Sequence, residues 1–242
     1  MKDLTIGNEG KLIVQFAMPM VYGNIFQQLY NVVDSIIIGH YLGKESLAAV
    51  GASFPIIFLL IALMIGFSMG FTIIIAQYFG AKNMVKVKQT IDTSYIIILF
   101  ASLITTLLGI SFSETIFRLT GMPDEVIPDA ATYLNIYFAG SIFSYAFNGI
   151  SAILRGLGDS RTPLIFLIIS TISNVFLDLL FIVVFKMGIA GAAYATIISK
   201  AGAVVAAIIY INKKFPIMNI SFRRYEFVWD IFKTSLRIGL PT

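Results

Sequence analysis

The sequence predicts an all-α fold, a polytopic membrane protein built as a six-transmembrane-helix bundle, and three observations carry that prediction. Hydrophobic residues make up 58% of the 242 positions and charged residues 12%, against about 25% charged in soluble domains. Six stretches, at about 12–38, 47–79, 93–112, 130–153, 163–185 and 188–211, are long and apolar, and roughly 20 such residues cross a bilayer core as helix. Lys and Arg are unevenly shared between the connecting segments. One alternate set holds thirteen of the seventeen, among them Lys11, Lys82, Lys86, Lys88, Arg155, Arg161, Lys213 and Lys214, while the other holds Lys44, Arg118 and Lys186. That asymmetry predicts that both termini are cytoplasmic, and the absence of cysteine fits a bacterial plasma (inner) membrane protein.

The same charges exclude other classes. A net charge of +4 spread along one membrane face offers no compact basic module for nucleic acid, so the predicted surroundings are membrane lipids. Without cysteine there are no disulfides or thiolate metal sites, and the single histidine, His40, leaves no histidine pair for zinc. No Ser–His–Asp set or Glu–His helix pair points to hydrolysis, and no enzyme activity or cofactor is expected. No short apolar segment with a small-residue cleavage site precedes the first span, which is read as retained.

The first span, "LIVQFAMPMVYGNIFQQLYNVVDSIIIG", contains Pro19, expected to act as a hinge because proline removes a helical hydrogen bond. Its Gln27, Asn31 and Asp34 recur at spacings of four and three and share one face. In lipid that face must look toward protein or a wet cavity. The second span is too long for one upright crossing, and its Gly66 and Gly70 form a close-packing face. The fourth span is read as one helix over 130–153. Between it and the fifth, "LRGLGDSRTP" is a tight loop with Pro163 at the start of the next helix; it lacks the lysine and hydroxyl of a phosphate cradle. The predicted domain boundaries are 1–212 for the six-helix lobe and 213–242 for a cytoplasmic interfacial helix, rich in Phe222, Tyr225, Phe227, Trp229 and Phe232, leading into the start of a seventh transmembrane helix.

Asp34 and Asp178 fall inside spans, where a charge costs about 2.5–3.5 kcal/mol on insertion scales. Asn174 lies one turn before Asp178 on the same face, and Thr196 of the sixth span offers a hydroxyl. Two carboxylates, an amide oxygen and a hydroxyl suit a small hard cation such as sodium. Without a cation, such a pair shares a proton. Lys200, one turn after Thr196, either serves as a charge partner for this cluster or faces a wet cavity. The plainer reading is that each polar group only joins helices.

The motifs "FAMPMVYGNIFQQLYNVVDSIIIGHYLG", "AQYFGAKN", "LRGLGDSRTP", "SNVFLD" and "GIAGAAYATIIS" occur in this order along the chain. Together they resemble the multidrug and toxic compound extrusion (MATE) transporters of bacteria. The resemblance implies a cation-coupled antiporter, driven by sodium or protons, that exports cationic or amphipathic compounds by alternating between outward-open and inward-open states. It implies an ion-coupling site at Asp34, Asn174, Asp178 and Thr196, and a cavity that includes Gln27, Tyr133 and Asn148; the residues themselves add Asn31, on the same face as Gln27, and Lys200 to that cavity. Lys200 departs from the neutral polar residue expected there. The family has two six-helix lobes and this chain matches one. "KLIVQFAMPM" at 11–20 echoes "KTSLRIGLPT" at 233–242, so the chain is read as the amino-terminal lobe, working with a second lobe or a second copy. The alternatives are a lipid-linked oligosaccharide flippase of the same wider superfamily, for which a more basic cavity is expected, and a non-transporting assembly subunit.

Overall fold

The computed structural model describes residues 8–214 and 225–239. These form α1 (Glu9–Tyr41), α2 (Gly43–Gly80), α3 (Met84–Leu119), α4 (Ile127–Ala139), α5 (Ser141–Gly156), α6 (Arg161–Asp178), a π-helix (Leu179–Val184), α7 (Gly188–Lys214) and α8 (Trp229–Gly239). α2, α3, α6 with its π extension, and α7 are each long and apolar enough to cross a membrane, and α4 with α5 makes a fifth span bent by 49°. α1, with 33 residues, is the sixth helix of the bundle. It is long enough to cross, but Asn24, Gln27, Gln28, Asn31 and Asp34 make it the least apolar of the long helices.

Local chemistry sets the ends of these helices. Asn8 and Asn83 cap α1 and α3 by accepting from the backbone N–H groups of Lys11 and Lys86, at 3.2 and 3.1 Å. Asp159 starts α6 by accepting from the N–H groups of Arg161 and Thr162, at 3.2 and 3.0 Å, and from the Thr162 hydroxyl at 2.7 Å. Helix α1 runs unbroken through the buried Pro19. The third span is longer than 93–112 because α3 continues at both ends into polar turns, where Arg118 pairs with Glu114 at 2.7 Å.

The fourth span is not one helix. It breaks at Gly140, where a Cβ would stand 2.3 Å from Cγ1 of Ile197 on α7, so the bare backbone lets α7 pack into the bend. Thr106 of α3 donates to the Phe138 carbonyl beside the break, at 2.8 Å, and bonds the Ser141 hydroxyl at 3.0 Å. Side chains thereby supply hydrogen bonds where the helix is interrupted.

In the bundle α1 packs on α6, α6 on α7, α2 on α5, and α3 on both α4 and α5. Two apolar cores occupy its ends. One gathers Ile38, Ala49, Phe117, Leu134, Phe138 and Ala192 near the α1–α2 turn; the other gathers Ile75, Val87, Ile91, Ile153, Leu157 and Ile211 near the α2–α3 turn. Leu29, Val32, Leu107, Ile172 and Phe176 are exposed on the outside, as a lipid-facing surface requires.

α8 docks on α2 and α3. Gly66 and Gly70 form the predicted close-packing face: a Cβ at Gly70 would lie 2.2 Å from the Ser235 carbonyl oxygen, and one at Gly239 would lie 2.1 Å from that of Gly66. Only small residues permit backbones this near. The lead into α8 is pinned to α3 by the Val228 N–H, which donates to the Thr93 hydroxyl at 3.1 Å, and by Gln89, which donates to Glu226 at 3.0 Å. Phe227, Trp229 and Phe232 pack together with ring centroids 5.3 to 6.0 Å apart. Phe222, Pro241 and Thr242 lie outside the described residues.

Candidate functional site

Between the two cores lies a layer of buried polar groups. The stripe on α1 turns Asp34 into the bundle, 6% exposed, while Asn31 and Gln27 are half-buried one and two turns earlier on the same face. From α6, Asn174 and Asp178 project one turn apart, 1% and 0% exposed. The Asp34 and Asp178 carboxyls stand close enough to act on each other electrostatically. With its amide nitrogen toward the pair, Asn174 donates to Oδ2 of Asp178 at 3.0 Å, and its oxygen accepts the backbone N–H of Thr196 at 3.1 Å. The Thr196 hydroxyl bonds the Tyr30 hydroxyl at 3.0 Å. Tyr133 of α4, also buried, faces both carboxyls.

The four residues predicted to couple the ion are therefore brought together. Oδ1 of Asp34 and Oδ1 of Asp178 are buried without a hydrogen-bond partner. Leaving such groups unmatched costs about 1–3 kcal/mol each, and more when charged. A proton shared by the pair, or a small cation held by the two free oxygens and the nearby Thr196 and Tyr30 hydroxyls, would satisfy them. All these donors are hard oxygens, suited to an alkali cation and not to a thiophilic transition metal.

Other predicted residues are placed differently. Asn148 does not join the carboxyl pair. It donates to the Ser144 carbonyl on its own helix at 2.9 Å and lines a cavity of about 20 Å³ with Ser68, Ser94 and Tyr145, on the α2–α3–α5 side. Lys200 is not the charge partner of the cluster: its ammonium donates to the hydroxyls of Ser144 at 3.1 Å and Tyr137 at 3.4 Å, and lies 5.1 Å from the Tyr137 ring centroid. Sequence reasoning missed Tyr30, Tyr137 and Ser144. Each sits four residues from a residue already singled out, Asp34, Tyr133 and Asn148, so helical spacing carried the signal.

The MatE family model matches residues 19–180. The chain is 35% identical over 239 residues to the probable multidrug resistance protein YpnP of Bacillus subtilis, covering 99% of this chain and 53% of that protein. It is 30% identical to the probable multidrug resistance protein NorM of Thermotoga maritima, covering 96% and 50%. Among solved structures it superposes with a TM-score of 0.89 and 31% identity on an outward-facing multidrug resistance MATE family transporter of the MOP superfamily, covering 97% of this chain and 52% of that one. The chain thus spans about half the length of the curated relatives it matches.

Proposed function

This chain belongs to the MATE family, and on that premise we propose that it forms one lobe of a multi-pass antiporter that exports cationic or amphipathic compounds, driven by sodium or protons entering at Asp34 and Asp178. The observation that carries the reading is the pair of facing, buried carboxyls with an unpartnered oxygen on each. A structural joint gains nothing from two carboxyls set together with such oxygens, whereas a site that fills and empties needs them. Relatives whose names describe multidrug resistance support the choice of cargo.

Occupation of the pair by a proton or cation changes its charge and therefore its repulsion. Because Asp34 rides on α1 and Asp178 on α6, that change acts directly on how these helices pack. Cargo that prefers one packing then loses affinity when the ion binds, the reciprocal coupling an antiporter requires. Pro19 supplies a compliant point in α1, and α8 is taken as the start of a further span joining the lobe to a second lobe or copy. The basic connecting segments favour cytoplasmic termini.

The experiment is efflux of a fluorescent cation from cells, with and without imposed sodium and pH gradients. Asp34→Asn, at matched membrane expression, is expected to abolish the gradient-driven component. Undiminished efflux in that variant removes the carboxyl pair from the mechanism.

A further inference from the structure

We propose that Arg155, with Lys86, is the seat for the phosphate of an anionic phospholipid, at the end of the bundle where α2 turns into α3 and α5 into α6. The inference stands apart from the export reading, because it concerns the motif "LRGLGDSRTP", which the carboxyl pair does not use.

Arg155 sits in the last turn of α5 and is half-buried. Taking an arginine out of water is costly unless a partner offsets it, and the partners nearest to hand on the chain are occupied. A basic side chain in this position often caps the carbonyls that end its own helix. Here the Ala152 carbonyl accepts the Thr72 hydroxyl at 3.1 Å, and those of Ile153, Leu154 and Arg155 accept the N–H groups of Leu157, Asp159 and Gly158 at 3.0, 2.8 and 2.9 Å. Gly158, at φ 84°, allows the chain to close over the helix end in this way. Asp159 lies one turn after Arg155, but its Oδ1 accepts from the backbone of Arg161 and Thr162 and its Oδ2 from the Thr162 hydroxyl. Among the described residues no hydrogen bond or ion pair engages the Arg155 guanidinium, and the segment 215–224 contains no Asp or Glu. The polar side-chain atoms sealed off without a partner, among the described residues, are oxygens of Asp34, Gln89 and Asp178. The guanidinium therefore keeps an accessible edge, with its N–H fork open.

The surroundings select the anion. Leu154 and Leu157, close to Arg155 in the chain, belong to the apolar core that also holds Val87 at the start of α3. Lys86, next to Val87, is half-buried and forms no ion pair among the described residues, while Met84 and Val85 beside it are exposed. Exposed apolar side chains and half-buried cations at one level mark a surface that meets the headgroup layer of a membrane. A phospholipid carries its phosphate at that level with acyl chains beneath it. Guanidinium grips a phosphate through parallel N–H bonds, and the Lys86 ammonium adds a point charge. Held between them, the lipid would tie the end of α5 to the start of α3.

The test titrates the purified chain, in micelles of an uncharged detergent, with dioleoylphosphatidylglycerol or dioleoylphosphatidylcholine and counts bound lipid by native mass spectrometry. The anionic lipid is expected to bind about tenfold more tightly. Arg155→Gln should cut that preference to about twofold, Arg155→Lys should keep about half of it, and Lys86→Gln should lower it about threefold. Arg161→Gln, which removes an exposed charge from the same end, should leave the preference intact. Should Arg155→Gln fail to fold, Arg155→Lys and Lys86→Gln decide the matter. Equal binding of both lipids, or equal losses in the Arg155 and Arg161 variants, overturns the proposal, the second result describing a diffuse basic rim. Displacement of the lipid by millimolar inorganic phosphate also overturns it, in favour of a site for soluble anions. Neither cargo nor gradient enters the measurement, so its failure says nothing against the export reading, and a chain without efflux says nothing against this seat.

Discussion

Between α3 and the broken α4–α5 span, the buried polar heads find partners: Thr105 meets the Tyr145 hydroxyl at 2.9 Å, Ser113 donates to Asn135 at 2.6 Å, and Ser141 donates to the Ser102 carbonyl at 3.3 Å. Between α1, α6 and α7 the polar groups are as deeply buried, but two carboxyl oxygens go without. Both seams look alike in composition, each a few oxygens and amides set among apolar helices. Their difference lies in satisfaction. A joint is finished when its hydrogen bonds are made, and it holds one arrangement; a site kept short of a partner is ready to receive one. Gln89 Oε1 is a third unpartnered oxygen, but it belongs to the contact with the lead into α8.

The sharpest way to break this contrast is to neutralise one member of the open seam. Asp178→Asn is expected to remove all gradient-driven efflux while leaving the protein at least as resistant to thermal unfolding, since it replaces a buried carboxyl with a neutral group that keeps hydrogen-bonding capacity. A variant that loses stability and keeps transport would make the open seam a joint after all. Next in size is the effect of the ion. Sodium at about a hundredfold above its dissociation constant should stabilise the folded chain by about 2.7 kcal/mol, seen as a higher melting temperature than in potassium, and Asp34→Asn should abolish the difference. Equal melting in both salts shifts the coupling ion to the proton.

The closed seam should respond the other way. Thr106→Val strips the hydroxyl from the Phe138 carbonyl at the break and is expected to cost about 1 kcal/mol of stability with efflux unchanged. Smallest of all, a double-mutant cycle on Ser113→Ala and Asn135→Ala should return a coupling of about 0.6 kcal/mol, typical of interhelical hydrogen bonds in membranes. A coupling that changes with sodium would tie the closed seam to the site.

The long apolar helices α2, α3, α6 and α7 were legible because bilayer thickness imposes their length. Asp34, Asn174 and Asp178 stood out because a carboxylate in an apolar run has no cheap explanation, and helical spacing placed Asn174 and Asp178 on one face. The break at Gly140 was not legible, since it depends on Ile197, more than fifty residues later, pressing where a Cβ would be. That bend also decides where α5 points, and so sets Asn148 on the other seam. Tyr30 was hidden by company: among 21 Phe and 11 Tyr, an aromatic residue reads as packing. The direction of Lys200 was open for a different reason, because its long flexible stem reaches either seam and only the Ser144 and Tyr137 hydroxyls settle which.

The π-helix that follows Asp178 has a consequence for how the chain tolerates change in length. Its bonds close over five residues, as in the one from the Phe185 N–H to the Leu180 carbonyl at 2.9 Å, so it accommodates one residue more than an α-helix of the same rise. The six residues of this wider turn rotate and rise about as much as five residues of α-helix do, so the surplus is absorbed where it occurs and the helix before it keeps its orientation. The inward aim of Asn174 and Asp178 therefore does not depend on the extra residue. Deleting one residue from Leu179–Val184 would restore an unbroken α-helix and leave Asp178 facing Asp34, whereas a deletion in the regular α-helical turns of α6 would swing the residues on one side of it by about 100°.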